Sequence, residues 1–178
     1  MSRDRPTPAP PTRTARLLLE PLEPDSAEEL EPLRDDALVA RTLSVTGLPP
    51  VPGLDRRSLE TKAEHWRRHG FGLWLLRDRE TGEMVGRGGP QWTIIASRLE
   101  VELAWAVVSR RWGEGLATEL ALACMAFAFD GLEIDSVVAF ALVDNVASRR
   151  VMTKAGMSFE RDLRHAGKPH VLYRRRRW

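Results

Sequence analysis

The chain has 178 residues, 43% of them hydrophobic and 29% charged, with 27 basic and 25 acidic side chains for a net charge of +2. That length is one domain, and the composition excludes a mainly disordered chain, a collagen-like repeat and a disulfide mini-protein. The near balance of charge gives no reason to expect nucleic acid, and no run of 18 uncharged apolar residues predicts a membrane span. One cysteine, Cys124, makes neither an internal disulfide nor a cysteine-cluster metal site, so a reducing cytoplasm is the simplest home.

Residues 1–13 hold four prolines, lack the apolar core of a secretory signal, and read as a flexible tail. Residues 14–178 then form a single domain. Arg16–Leu22 suits a first strand. Ser26 and Glu29 have the spacing of a capping box, which predicts a helix through about Leu33. A Pro/Gly-rich loop covers 44–54, and Asp55–Arg68 is a second helix with Leu59, Lys62, Ala63 and Trp66 on one face. His69-Gly70 ends it. His65 and His69 have a metal-ligand spacing on that helix, but no third ligand is evident, so no metal site is expected.

From Phe71 the period changes to two. Phe71–Arg77, Met84–Ile95 and Leu99–Val108 read as strands. In the third, Val101, Leu103, Trp105 and Val107 share one face, and Glu102, Ala104, Ala106 and Val108 share the other. A long apolar helix, Leu116–Phe129, follows. Then come a strand at Ile134–Leu142, a helix from Asp144-Asn145 to Lys154, and last strands at Met157–Arg161 and Val171–Arg177. The order β α α β β β α β α β β predicts an α/β fold, a mixed sheet with helices on both faces. Arg174–Arg177 reads as a solvated terminal strand.

The segment that carries chemistry joins the third strand to the long helix: Ser109-Arg110-Arg111-Trp112-Gly113-Glu114-Gly115-Leu116-Ala117-Thr118. Gly113 and Gly115 let backbone N–H groups converge, and the helix start adds unpaired amides and the positive end of its dipole. Arg110 and Arg111 add positive charge. The segment suits phosphate or pyrophosphate. It lacks the Gly-Lys-Ser/Thr of a P-loop and the third glycine of a dinucleotide fingerprint.

Arg110-x-x-Gly113-x-Gly115 resembles the Q/R-x-x-G-x-G/A signature of the Gcn5-related N-acetyltransferase (GNAT) superfamily. The string RRWGEGLATE resembles the branch of the ribosomal-protein N-terminal alanine acetyltransferases. TARLLLEPLEPDSAEEL, Val85-Gly86-Arg87-Gly88-Gly89, and Asn145-x-x-Ser148-x-x-Val151 through Gly156-Met157 resemble further pieces of that branch, in the same order. The resemblance implies a mostly antiparallel sheet in which acetyl-CoA lies in a V-shaped splay between two parallel strands. The pyrophosphate would sit on the amides of Arg111, Trp112, Gly113, Glu114, Gly115, Leu116 and Ala117. The pantetheine would run along Ala106, Val107 and Val108, with Asn145 and Ser148 close by.

The implied reaction moves acetyl from the thioester directly to a primary amine, of a protein N-terminus or a small molecule, in a ternary complex. Such an amine is protonated near neutral pH and needs a base. Glu102 is the candidate, because small Ala104 and Ala106 beside it leave room for a substrate. A backbone N–H near Val107 is the candidate oxyanion donor. Many members carry an acidic tyrosine seven residues after the asparagine; here that position is Met152, and Ser148 is the weaker candidate acid. The partners expected are acetyl-CoA and an amine acceptor, without membrane or nucleic acid; a homodimer is compatible with the resemblance. An acidic acceptor would suit the site if Arg98, Arg164 or Lys168 lined it. The competing readings are a non-catalytic CoA-binding module and a basic RNA- or ribosome-associated protein.

Overall fold

The computed structural model describes residues 9–44 and 46–178. Seven strands are formed by these residues: β1 Leu17–Pro21, β2 Trp74–Asp78, β3 Met84–Ile95, β4 Arg98–Val107, β5 Ser136–Leu142, β6 Ser158–His165 and β7 Lys168–Arg176. They make one sheet in the order β1-β2-β3-β4-β5-β7-β6, antiparallel at every junction except β4–β5. The alternation read from the sequence sorts the side chains as expected. Val101, Leu103 and Val107 enter a core beneath α4 (Leu116–Ala126) and α5 (Val146–Lys154). Ala106 and Val108 enter a second core on the opposite face, with Leu33 of α1 (Glu31–Arg34), Val39 and Ala40 of α2 (Ala37–Leu43) and Leu59 of α3 (Arg56–His69).

The junction that matters for function is the parallel one. β4 and β5 pair only at Val101↔Val137 and Glu102↔Val138. Beyond that point each strand keeps its outer partner. β4 stays on β3 as far as Val107↔Gly86, and β5 stays on β7 as far as Leu142↔His170. The inner edges therefore separate while both strands remain anchored, which opens a V with Glu102 at its vertex.

The chain departs from the sequence expectation at both ends and in the first helical region. Residues 1–8 of the predicted tail lie outside the described residues. Just after them, the Leu19 N–H donates to the Thr12 carbonyl and Arg13 bridges to Leu18. The capping box is built one turn earlier than predicted: Glu23 caps a short 3-10 turn over Pro24–Ala27, and Ser26 is its returning partner. Glu29 instead pairs with Arg77 of β2. A separate helix, α2, follows, its N-terminus capped by Asp36, which accepts from the amides of Leu38 and Val39. The helix predicted to reach Phe129 ends at Ala126 and unwinds into a π-turn over Phe127–Gly131. Arg174 is not solvated. It is buried between Glu100 and Glu160 and donates to Glu100 at 2.9 Å from two nitrogens.

Candidate active site

Asp36 joins two parts of the site. One oxygen of its carboxylate caps α2; the other accepts from the Ser109 amide at 2.8 Å. That bond fixes α2 against the turn that leaves β4. Across the sheet, Gly88 lets α4 sit close on β3 and β4, since a Cβ there would come within 2.6 Å of both the Ala104 carbonyl and a Leu120 methyl. The helix is thus held at a fixed height above the mouth of the V.

The turn itself has the geometry its glycines imply. Gly113 and Gly115 adopt φ of +85° and +83°, a left-handed conformation costly for other residues. An added Cβ would meet nothing within 4 Å at Gly113, and only the Arg16 side chain at Gly115. The requirement is conformational, and the space over the turn stays open. Gly115 is the N-cap of α4 with no side chain capping it. Glu119 donates the first helical bond, to Gly115, so the amides of Leu116, Ala117 and Thr118 have no acceptor within the helix. The amides of Arg111 and Trp112, in contrast, are already bonded to the Val108 and Ser109 carbonyls.

A cavity of about 360 Å³ lies between this turn and α5. The expected residues that line it are Ala106, Val107, Arg111, Trp112, Gly113, Gly115, Leu116, Ala117, Asn145 and Ser148. Three do not. Val108 is fully buried and donates its N–H to the Val85 carbonyl. Arg110 turns outward to Glu83, and Glu114 turns to Arg111. The Arg111 guanidinium is itself held by Glu114 at 2.7 Å and Asp78 at 2.8 Å. The Arg111 bond, with those from the Glu80 and Thr81 amides, holds the Asp78 carboxyl at about 2, well below the usual carboxylate range.

Nine lining residues lie outside the expected set: Trp105 of β4, Ala147 and Val151 of α5, and six more. Thr118 is one position beyond the expected amides, and Arg150 and Lys154 share a face of α5. Val39, Thr42 and Leu43 of α2 form the opposite wall. The available signal for α2 was Asp36 ahead of Ala-Leu-Val-Ala, a cap before an apolar run.

On β4, the Val108 amide points toward β3. By the alternation of a strand, the N–H of Val107 points away from β3, into the V. The Val107 carbonyl on that edge accepts from the Trp112 indole at 2.7 Å, which lays Trp112 along the cavity wall. Asn145 is buried and caps α5 by accepting from the Ser148 amide at 3.0 Å. The Ser148 hydroxyl accepts from the Trp105 indole at 3.3 Å. Met152 is fully buried in the core. Tyr173, also buried, stacks edge-on to Phe159 on the β6–β7 pair.

At the vertex, Glu102 is 9% exposed and accepts from the Gln91 side-chain amide at 3.0 Å. Gln91 in turn accepts from the Lys62 ammonium at 3.1 Å. An ammonium only donates and a carboxylate only accepts, so the Gln91 amide has one possible orientation. Burial raises the Glu102 pKa above the ordinary carboxylate value, while the Gln91 bond and the charges of Arg87 and Lys62 oppose it. Burial, and then Arg87, lower the Lys62 pKa. Beside this chain His65 meets the Phe71 carbonyl through Nδ1 and accepts from the Trp92 amide through Nε2. Both ring nitrogens are used, which fixes the neutral tautomer in a structural role.

The family profile described as acetyltransferase (GNAT) domain matches residues 16–158. The chain belongs to the GNAT acetyltransferase family. A Bacillus subtilis relative of this GNAT chain, the uncharacterized protein YkkB, is 32% identical over 108 residues, 61% of this chain and 63% of YkkB. The match thus spans less than two thirds of that relative's length. The crystal structure of an acetyltransferase from Agrobacterium tumefaciens superposes with a TM-score of 0.75 at 26% identity, covering 99% of this chain and 100% of that one. The RimL ribosomal L7/L12 α-N-protein acetyltransferase, in complex with coenzyme A, shares the fold with a TM-score of 0.71 at 18% identity, covering 93% and 96%. Among the described residues no helix is long and apolar enough to cross a membrane.

Proposed function

We propose that this GNAT protein catalyses transfer of an acetyl group from acetyl-CoA to a primary amine. The observation that carries the reading is the open, uncapped start of α4, which faces a cavity at the mouth of the splay. Those amides suit a pyrophosphate, because they are unpaired and lie at the positive end of the helix. Arg150 and Lys154 are exposed, make no ion pair among the described residues, and suit the phosphate-rich end of the cofactor. The coenzyme A named with RimL supports the same cofactor here.

When bound, acetyl-CoA supplies an acetyl group activated as a thioester. The chain's own residues then have three tasks. The Glu102 carboxylate takes the proton from the attacking ammonium, directly or through a water molecule, so the amine becomes nucleophilic. Its raised pKa makes it a better base than a solvated carboxylate, at the cost of needing a higher pH to ionise. The Val107 N–H donates to the oxygen that becomes negative when the amine adds. Ser148 lies near the thiolate end, with Met152 unable to donate a proton; a thiolate, with a thiol pKa of about 8.5, leaves without a dedicated acid.

Calorimetric titration with acetyl-CoA tests the cofactor half, and release of free CoA thiol across a panel of amines tests the reaction. Saturable binding followed by amine-dependent thiol release is the expected result. Binding without thiol release on any amine would leave a CoA-binding module. No binding would remove the cofactor from the reading altogether.

A further inference from the structure

The vertex cluster is not electrically balanced. It holds two cations, Lys62 and Arg87, and one carboxylate, Glu102; Lys62 and Glu102 each feel the charges of the other two, and Arg87 feels that of Glu102. Lys62 has a hydrogen-bond partner in Gln91, and Glu102 has one in the same residue. Arg87 has neither. Its Nε is shielded from solvent without a hydrogen-bond acceptor, and its side chain makes no ion pair among the described residues. A half-buried guanidinium whose Nε is shielded and unpartnered is rare, because the desolvation of that nitrogen is uncompensated. Its planar fork of donors matches a carboxylate or a phosphorus oxyanion.

The position of Arg87 says what the missing partner does. Arg87 is cross-strand from Ala106, and Gln91 is cross-strand from Glu102. Arg87, Glu102, Ala104 and Ala106 therefore share the sheet face opposite α4. Between the guanidinium and the carboxylate the floor is made of small residues, Gly89 and Ala104. Arg87, Gln91 and Lys62 each keep part of their surface exposed, so the cluster is reachable. The residues that an acidic acceptor would otherwise use are elsewhere: Arg98 is exposed at the β3–β4 turn, Arg164 donates to the Gly167 carbonyl in the β6–β7 hairpin, and Lys168 pairs with His165 in the same hairpin.

We infer that the acceptor is a small zwitterionic amine, of the amino-acid type, whose ammonium faces Glu102 and whose anionic group, a few bonds away, is received by Arg87. This rests on the acetyltransferase reading and narrows it. A protein N-terminus carries an amide where a free amino acid carries a carboxylate, so it offers Arg87 no charge and leaves the guanidinium unpaired. Arg87 is then a specificity-determining residue, and Lys62, linked through Gln91, keeps the cluster's charge positive when Glu102 is ionised.

The test pairs acids with neutral analogues. Thiol release from acetyl-CoA is measured with free amino acids, with 1-aminoalkylphosphonates, with the corresponding amino-acid amides, and with short peptides. The expected result is a kcat/KM for one anionic series at least about 100-fold above that of its amides and peptides, since a site built to pair a group rejects its absence strongly. The two anionic arms show whether carboxylate or phosphonate is preferred. Arg87→Gln should raise the acceptor KM by roughly the same factor, erase the preference over amides and leave acetyl-CoA affinity unchanged, and Arg87→Lys should restore part of it. Amides or peptides used as well as acids would overturn the inference, as would an Arg87→Gln variant that slows acid and amide alike. So would acetyl-CoA binding with no anionic amine used at all. The wild-type comparison decides even where a variant fails to fold, and failure to bind acetyl-CoA marks failure of the underlying reading instead.

Discussion

The mouth of the splay and its vertex lie on the same two strands, yet they are built from different materials. At the mouth the groups offered to a ligand are main-chain amides, those of Leu116, Ala117 and Thr118, set by two glycines at positive φ. At the vertex they are side chains: Lys62 from α3, Gln91 from β3 and Glu102 from β4, linked in a hydrogen-bonded chain, with Arg87 of β3 beside it and outside the chain. Backbone recognition tolerates most side chains and demands a conformation. Side-chain recognition demands identities and tolerates no imbalance of charge, because buried ions are costly unless paired. A shared cofactor suits the first kind of wall, and a particular acceptor suits the second.

The largest separation of the two regions should come from Glu102→Gln. It keeps the shape and the Gln91 contact, so acetyl-CoA affinity by calorimetry should hold while kcat/KM for the amine falls roughly 100- to 10,000-fold. The pH profile sharpens this. Glu102 acts only when ionised, so activity should rise with pH through its pKa, which burial sets above the ordinary value of about 4.3. An acidic limb at that ordinary value, or one that survives Glu102→Gln, would break the assignment.

Gly115→Val makes the converse change. A β-branched residue at φ +83° is strained by about 1–3 kcal/mol. Acetyl-CoA affinity should drop roughly ten- to a hundredfold, and acceptor KM at saturating cofactor should stay near wild type. Equal losses in both would show that the mouth and vertex act as one unit. Smaller again is the double variant Arg150→Gln, Lys154→Gln. Exposed cations contribute little singly, so a roughly three- to tenfold weaker acetyl-CoA affinity is expected, with a flatter salt dependence in titrations at rising ionic strength. Last, Lys62→Met removes a positive charge that favours ionised Glu102, so the acidic limb of kcat/KM should move to higher pH. A limb that moves down would contradict the cluster's electrostatics.

Most of the mouth was legible in the chain itself. Gly113-x-Gly115 between an apolar strand and an apolar helix constrains the backbone locally, and local constraints are written in consecutive residues. Asn145 as a helix cap and the two faces of β4 were legible for the same reason. The misplacements came from partners far away in the chain. Ser26 has two partners at capping distance, Glu23 and Glu29, and spacing alone cannot choose; the structure chooses Glu23 because Glu29 is drawn to Arg77, 48 residues away. Arg174 read as solvated because its partner Glu100 lies 74 residues earlier.

The sequence by itself determined the order of the strands, the alternation that divides β4 between two cores, the glycine turn ahead of α4 and Glu102 as the one carboxylate among small neighbours. These follow from periodicity and from the conformational needs of glycine, which act over a few residues. Only the tertiary structure decided that β4 and β5 part company after Glu102, that Asp36 ties α2 to the turn, and that Lys62, Arg87 and Gln91 converge on the vertex. Those side chains are separated by up to 40 positions. Their meeting depends on strand register and helix packing, and the value of each charge depends on how much water the others have displaced.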